Sequence, residues 1–245
     1  MNPLLIRRRG MLNIQPSPQY TPDDYVQSGL EHMWDGEWNN GRNDHSQTPI
    51  VWKDLIGADD LTLSPNVVVG GKYFQNTINS DYIAYRNASY VPKTIQFCFK
   101  RDSFDTTLTT FVLSARISTT RYAGNFHFNF GNLGYLYFES SGNLTNRRGV
   151  PIATTDMGVH SISASWSSAT AIASLGYDNM QYTMVSNLSG TGRNGSTFFL
   201  VGNSVTNGGT NYALLGKVFC IRLYNRVLTA DEIISNQQID LQRFS

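Results

Sequence analysis

GKVFCIRLYNRVLTADEIISNQ, residues 216–237, changes character in mid-run. Through Tyr224 it is the apolar end of a candidate strand, 214–224, with Cys220 inside it. Beyond Asn225 the signals become helical. Thr229 is a good N-cap, and Glu232, three positions on, completes a capping box. Leu228 before the cap can staple to Ile233, and the first-turn acids Asp231 and Glu232 suit the helix dipole. A helix is therefore predicted across VLTADEIISNQQIDLQRF, residues 227–244, with a short apolar stripe expected to lie back on the body and close one end of it.

Upstream of this junction the pattern is strand-like. From Gly29 onward short runs alternate apolar and polar residues at period two, broken by Gly and Asn turns. Candidate strands are 30–34, 61–63, 82–86, 94–100, 110–116, 125–130, 135–139, 159–166, 171–177, 197–201 and 214–224. Many short antiparallel strands and one terminal helix predict an all-β sandwich or jelly roll. The hairpin NFHFNFGNLGYLYFES, residues 125–140, sorts Phe126, Phe128, Phe130, Leu136 and Phe138 to the core. His127, Tyr135 and Tyr137 fall on a wetter face, which can be a ligand platform, a solvated face or one covered by a neighbouring subunit.

A chain of 245 residues with 40% apolar content can bury a sizeable core as one domain. Only 15% of residues are charged, against about 25% in an average domain. The net charge of +1 gives no basic stripe, so nucleic acid is not expected as a partner. No run approaches the roughly 18 apolar residues of a membrane span, and no membrane insertion is expected. Cys98 and Cys220 each sit in an apolar run, which favours buried free thiols and leaves a disulfide open. Residues 1–24 differ from the rest. Arg7, Arg8 and Arg9 precede NIQPSPQYTPDD, residues 13–24, whose prolines disfavour ladder and helix alike, so this stretch reads as an arm or tether and 25–245 as the domain. MNPLLIRRRGML does not have the order of a secretory signal.

EHMWDGEWNNGRNDHSQTPIVWKDL, residues 31–55, carries the chemistry-bearing side chains. Were 30–34 a strand, Glu31 and Asp35 would stand about 13 Å apart, beyond the about 5 to 5.5 Å of a retaining glycosidase pair. Asp35 and Glu37 are closer, but Gly36 between them marks a turn or bulge, and both carboxylates are expected to be solvated. Asp35, Asn39 and Asp54 offer oxygen ligands to a hard cation such as calcium, although EF-hand spacing is absent and loop bracing is the competing reading. Neither His45 nor His127 has a His or Cys partner at transition-metal spacing.

GLEHMWDGEWNNGRNDHS followed by VWKDLIG, then GVHSISASW with ASLGYDN, and finally GKVFCIRLYNRVLTADEIISNQ together resemble the laminin-G-like, concanavalin A-like lectin/glucanase superfamily over about residues 28–245. The opening segment is similar to versions found in bacteriophage and prophage virion proteins. The resemblance implies a concanavalin A-like jelly-roll β-sandwich of two antiparallel sheets with a short C-terminal helix. Glucan-cleaving members carry Glu-x-Asp-x-Glu. Aligning Asp35 with the central Asp puts Met33 at the nucleophile position and Glu37 at the acid position, and a thioether cannot form the glycosyl ester. The expectation is therefore a non-catalytic virion module, assembled in the host cytoplasm, that adheres to glycans of a bacterial surface or mucus. Trp38, Asn39, Asn40, Arg42, His127, Tyr135 and Tyr137 are its candidate sugar contacts, and Arg7, Arg8 and Arg9 its attachment to other virion proteins. Two alternatives stand beside it: a purely architectural homo-oligomeric virion subunit, and a glycoside hydrolase with displaced carboxylates.

Overall fold

The structure is a computed structural model, and it describes residues 19–48, 50–78, 81–88, 90, 92–103, 110–116, 124–131, 135–140, 147–151, 156–166, 172–178, 180–185, 198–202 and 213–245. The first half of the chain supplies Leu30–Asp35 (β1), Val51–Trp52 (β2), Leu61–Leu63 (β3), Val68–Val69 (β4), Phe74–Asn76 (β5), Ala84–Arg86 (β6), Thr94–Arg101 (β7) and Thr110–Arg116 (β8). Gly124–Gly131 (β9), Tyr135–Ser140 (β10), Arg147–Pro151 (β11), Val159–Trp166 (β12), Ile172–Tyr177 (β13), Met180–Val185 (β14), Phe198–Val201 (β15) and Gly216–Tyr224 (β16) follow. The helix Ala230–Phe244 (α1) comes last.

Among the described residues these strands form two eight-stranded antiparallel sheets. One runs β14-β13-β12-β7-β16-β5-β4, with β1 also on β16; the other runs β11-β10-β9-β8-β15-β6-β3-β2. The fold is all-β with a single helix, as the period-two runs predict. β16 is its pivot, because β7 pairs along one edge while β5 and then β1 share the other. A register shift between Val218 and Cys220 turns the side chains there: Val218, Ile221 and Leu223 enter the core between the sheets, whereas Phe219, Cys220 and Tyr224 face outward. β7 alternates in the same way, with Ile95, Phe97 and Phe99 inside and Cys98 outside. Trp34 and Trp52, both fully buried, anchor the inner core through ring contacts to Phe199 at 5.4 Å and Phe74 at 4.7 Å.

The helix differs from expectation in position. It covers the outer face of the β7/β16 sheet instead of closing an end, because β1, β7 and β16 present a second apolar set, Met33, Cys98, Phe219 and Tyr224, against Ile233, Ile239 and Phe244. Its start is as read: Thr229 Oγ1 accepts from Glu232 N at 3.3 Å and Glu232 Oε2 accepts from Thr229 N at 2.8 Å. Leu228 and Ile233 share the outer cluster. Residues 19–24, which composition places with the arm, pack on the sandwich. Pro22–Asp24 forms a 3₁₀ turn and Tyr20 rests against the outer cluster. In the hairpin 125–140 the register sets Phe128 opposite Phe138 and Phe130 opposite Leu136.

Candidate functional site

The carboxylates of the 31–55 stretch are not solvated, which corrects the sequence reading. Asp35 and Glu37 are both buried, at 0% and 2% exposure, under the C-terminal end of α1. Arg243 donates to Asp35 Oδ2 at 2.7 Å and Oδ1 at 3.0 Å, to Glu37 Oε2 at 3.2 Å and to the Tyr25 hydroxyl at 3.0 Å. A second buried pair lies alongside. Arg222 grips Asp240 at 2.8 and 2.6 Å, and the same carboxylate accepts from Tyr25 and Ser161. The Tyr25 ring lies between the two guanidiniums, 4.0 Å from Arg222 and 5.6 Å from Arg243. Burial pushes the pKa of Asp35 up while Arg243 pulls against it; burial disfavours the Arg243 charge, but Asp35 and Tyr25 hold it well above its ordinary value. Charges removed from water in this way persist only when paired, and here the Nε of each guanidinium is buried without a partner among the described residues.

Asp35 also shapes the loop that follows. Its Oδ1 accepts from Glu37 N at 2.9 Å and Trp38 N at 3.1 Å, an Asx turn. Bridges Trp38–Arg42 and Gly41–Asp44 then fold residues 37–44 into a tight hairpin, with Asn43 left-handed at φ 54° and its N–H on Glu37 O at 2.6 Å. Gly36 is required by close approach, since a Cβ there would meet the backbone of Lys72 and Tyr73.

The hairpin separates two open clefts. Trp38, Asn39, Asn40 and Gly41 line one of about 350 Å³, closed on the other side by Thr21, Pro22, Asp23 and Leu55. Arg42 lines the other, about 220 Å³, with Glu37, Lys72, Arg243, Gln19, Tyr20 and Gln242. Trp38 is half-buried, and its indole Nε1 has no partner among the described residues. Asn40 is exposed. Asn39, by contrast, is a brace: its amide donates to Val51 O at 2.8 Å and accepts from Lys53 N at 2.6 Å. Arg42 is half tied down, with Nε and NH2 each 3.0 Å from Glu37 Oε1. The structure thus brings Trp38, Asn39, Asn40 and Arg42 together on one hairpin.

The cation set is corrected as well. Asp35 is filled by Arg243 and its own turn, and Asn39 by β2 and Lys53. Asp54 accepts from His32 at 2.6 Å and from the backbone of Met33, Ile56, Gly57 and Asp59. Burial would raise the pKa of Asp54, but the His32 and backbone bonds bring it below the ordinary carboxylate range. Asp35, Asn39 and Asp54 are therefore three separate braces, and among the described residues no three His, Cys, Asp or Glu side chains converge as a metal site. His45 stands edge-on to Phe74 at 5.2 Å, and burial lowers its pKa. His127 is on β9, and Tyr135 and Tyr137 are on β10; their side chains, like Arg7, Arg8 and Arg9, lie outside the described residues. Cys98 and Cys220 are directly opposite across β7 and β16, both buried and both free thiols.

No protein-family profile and no curated protein sequence matches the chain. Solved structures do. A Trypanosoma rangeli sialidase in complex with sialic acid matches with a TM-score of 0.66 at 14% identity, over 87% of this chain and 33% of that one. A mutant of the same sialidase displaying trans-sialidase activity matches with a TM-score of 0.58 at 14% identity, over 89% and 34%. The Ruminococcus gnavus IT-sialidase CBM40 bound to alpha2,3 sialyllactose matches with a TM-score of 0.48 at 16% identity, over 59% and 81%. The chain has the concanavalin A-like jelly-roll fold. It spans about a third of the length of the trypanosomal sialidases it matches.

Proposed function

We propose that the chain is a non-catalytic carbohydrate-binding module that takes sugar in the Trp38 cleft. One observation carries the reading. A half-buried indole lines an open cleft of about 350 Å³, with the exposed Asn40 amide, Thr21 and Asp23 around it. An aromatic face stacks on sugar C–H groups, and nearby amide, hydroxyl and carboxylate groups fix hydroxyls. The jelly roll suits the role without dictating it, since the same architecture carries lectins and viral capsid proteins.

The non-catalytic part rests on Asp35 and Glu37. Both carboxylates are bonded to Arg243, so neither is poised as a free acid or nucleophile. The virion setting rests on the similarity of the 34–55 segment to phage and prophage proteins, with the arm carrying Arg7, Arg8 and Arg9 as the attachment to other virion proteins. Adhesion to bacterial-surface or mucus glycans is the activity such a setting calls for. A glycan array decides the central point. The folded protein is expected to bind a defined subset of glycans, and Trp38→Ala to lose that binding while keeping its circular dichroism spectrum; an array at background with folded protein refutes it. Reducing-end release from a glucan such as laminarin, lost in Glu37→Gln, would overturn the non-catalytic part alone.

A further inference from the structure

A third cleft, about 370 Å³, opens on the outer face of the β7/β16 sheet beside the end of α1. Lys72, Lys100 and Lys217 line it together with Tyr73, Phe219 and Phe244. Lys100 and Lys217 are directly opposite each other in the antiparallel register, the arrangement in which like charges repel across a sheet. Neither ammonium meets a carboxylate among the described residues. Lys217 Nζ sits 4.6 Å above the Tyr73 ring, and Lys72 Nζ donates to the Arg243 carbonyl at 2.9 Å. Several other cations among the described residues meet a carboxylate, as in Arg243 with Asp35, Arg222 with Asp240, Arg226 with Glu232 and Lys53 with Asp60. Lys72, Lys100 and Lys217 thus share one cleft, with Ser245 also in its wall, and among the described residues none of the three is in an ion pair.

From this geometry we infer that the lysine cleft binds an anionic oligosaccharide, one bearing carboxylate or sulfate groups, as a second site distinct from the Trp38 cleft. The inference rests on the carbohydrate reading above and extends it to acidic polymers. Three lysines lining one concave surface supply charge complementarity, and the aromatic side chains beside them supply apolar surface for the sugar. Lys72 lines both this cleft and the Arg42 cleft, and the Arg42 hairpin in turn borders the Trp38 cleft. That continuity favours an extended glycan over a short acidic peptide.

Affinity electrophoresis through dextran sulfate, polygalacturonate, neutral dextran and polyglutamate tests it on the whole chain. The parent protein is expected to be retarded by the two acidic polysaccharides. Lys100→Gln/Lys217→Gln should weaken that retention about tenfold, and raising salt from about 50 to about 300 mM should weaken the parent in the same direction. The charge-matched control Lys53→Gln/Lys93→Gln should be retained like the parent. Removing the opposed charges should leave the Tm at or above that of the parent, and a fall would overturn the premise that the pair repels. No retention of the parent, or equal retention of the Lys100/Lys217 variant, overturns the site; polyglutamate held as tightly with the same lysine dependence overturns its assignment to sugar. A blank glycan array together with lysine-dependent retention would remove the Trp38 site and leave this one standing.

Discussion

Arg243 and Asp35 are 208 residues apart in sequence and joined by two buried hydrogen bonds, 2.7 and 3.0 Å long, where the last turn of α1 meets the end of β1. The pair ties the last turn of the helix to the strand that opens the sandwich, and Asp35 at the same time folds the Trp38 hairpin. Helix docking and cleft geometry therefore depend on one carboxylate.

Breaking that pair from the arginine side should be costly. Arg243→Met strands Asp35 as a buried, unpaired charge and leaves Glu37 with Arg42 alone, with an expected loss of about 3–5 kcal/mol. Denaturant unfolding measures it. Adding Asp35→Asn and Glu37→Gln to Arg243→Met should recover part of the loss, since amides carry no charge to desolvate. No recovery would mean that packing of the arginine stem, and not charge, holds the helix end.

Asn39 and Asn40 are neighbours in sequence with opposite roles, and this separates stability from binding. Asn39→Ala removes both bonds to the β2 region and should cost about 1–3 kcal/mol, chiefly through the unsatisfied Lys53 N–H, since the Val51 carbonyl keeps its bond from Gln47. Asn40→Ala, at an exposed position lining the Trp38 cleft, should leave the Tm within about 0.5 kcal/mol of the parent while reducing glycan affinity. Thermal melts beside isothermal titration of the best array ligand distinguish the two.

Cys98 and Cys220 face each other across the register, buried beneath α1, and burial pushes both thiols well above their ordinary pKa. A thiolate-selective reagent should find neither in the native protein and both after denaturation. Rapid labelling of the native protein would mean that α1 lifts from the sheet under native conditions.

The sequence carried the sandwich further than it carried the site. Each candidate strand has its counterpart because period-two alternation is written into the strands that span the core, β7 and β16 above all. The strands it missed have little pattern to show. β2 and β4 are two residues long, β5 is three, and β11 ends on Pro151. β14 pairs Met180 with Tyr177 of β13, and Asp178 after that strand is left-handed at φ 52°. For the site, Trp38, Asn39, Asn40 and Arg42 were legible because amide-rich loops next to an indole stand out in composition. The burial of Asp35 and Glu37 was not, since Gly36 between them signals only a turn and the guanidinium that covers them lies on the last helix. Arg243 itself reads as an ordinary last-turn cation, and only the docking of α1 on the outer face turns it into the partner of β1.

The helix N-terminus supplies a pH test. Glu232 accepts from Arg226 at 2.9 and 2.6 Å and from Thr229 N at 2.8 Å, and the Arg226 bonds, with smaller help from the cap, lower its pKa from 4.5 to about 2. A carboxylate depressed on folding binds fewer protons in the folded state than in the unfolded one between those two values. Its contribution is present in full above the unfolded pKa and is lost as pH falls through the folded one. Stability measured by urea unfolding should therefore decline from pH 4.5 towards pH 2, and Glu232→Gln should make that decline shallower while lowering stability at neutral pH. Part of the slope will survive the substitution, because Asp54 and Asp81 are also held below their ordinary values by hydrogen bonds that outweigh burial. Since Glu232 is partly exposed, water screens the Arg226 pair, and the change at neutral pH should be about 1 kcal/mol, much of it from the cap. A variant with an unchanged slope would show that the Arg226–Glu232 pair does not persist in solution.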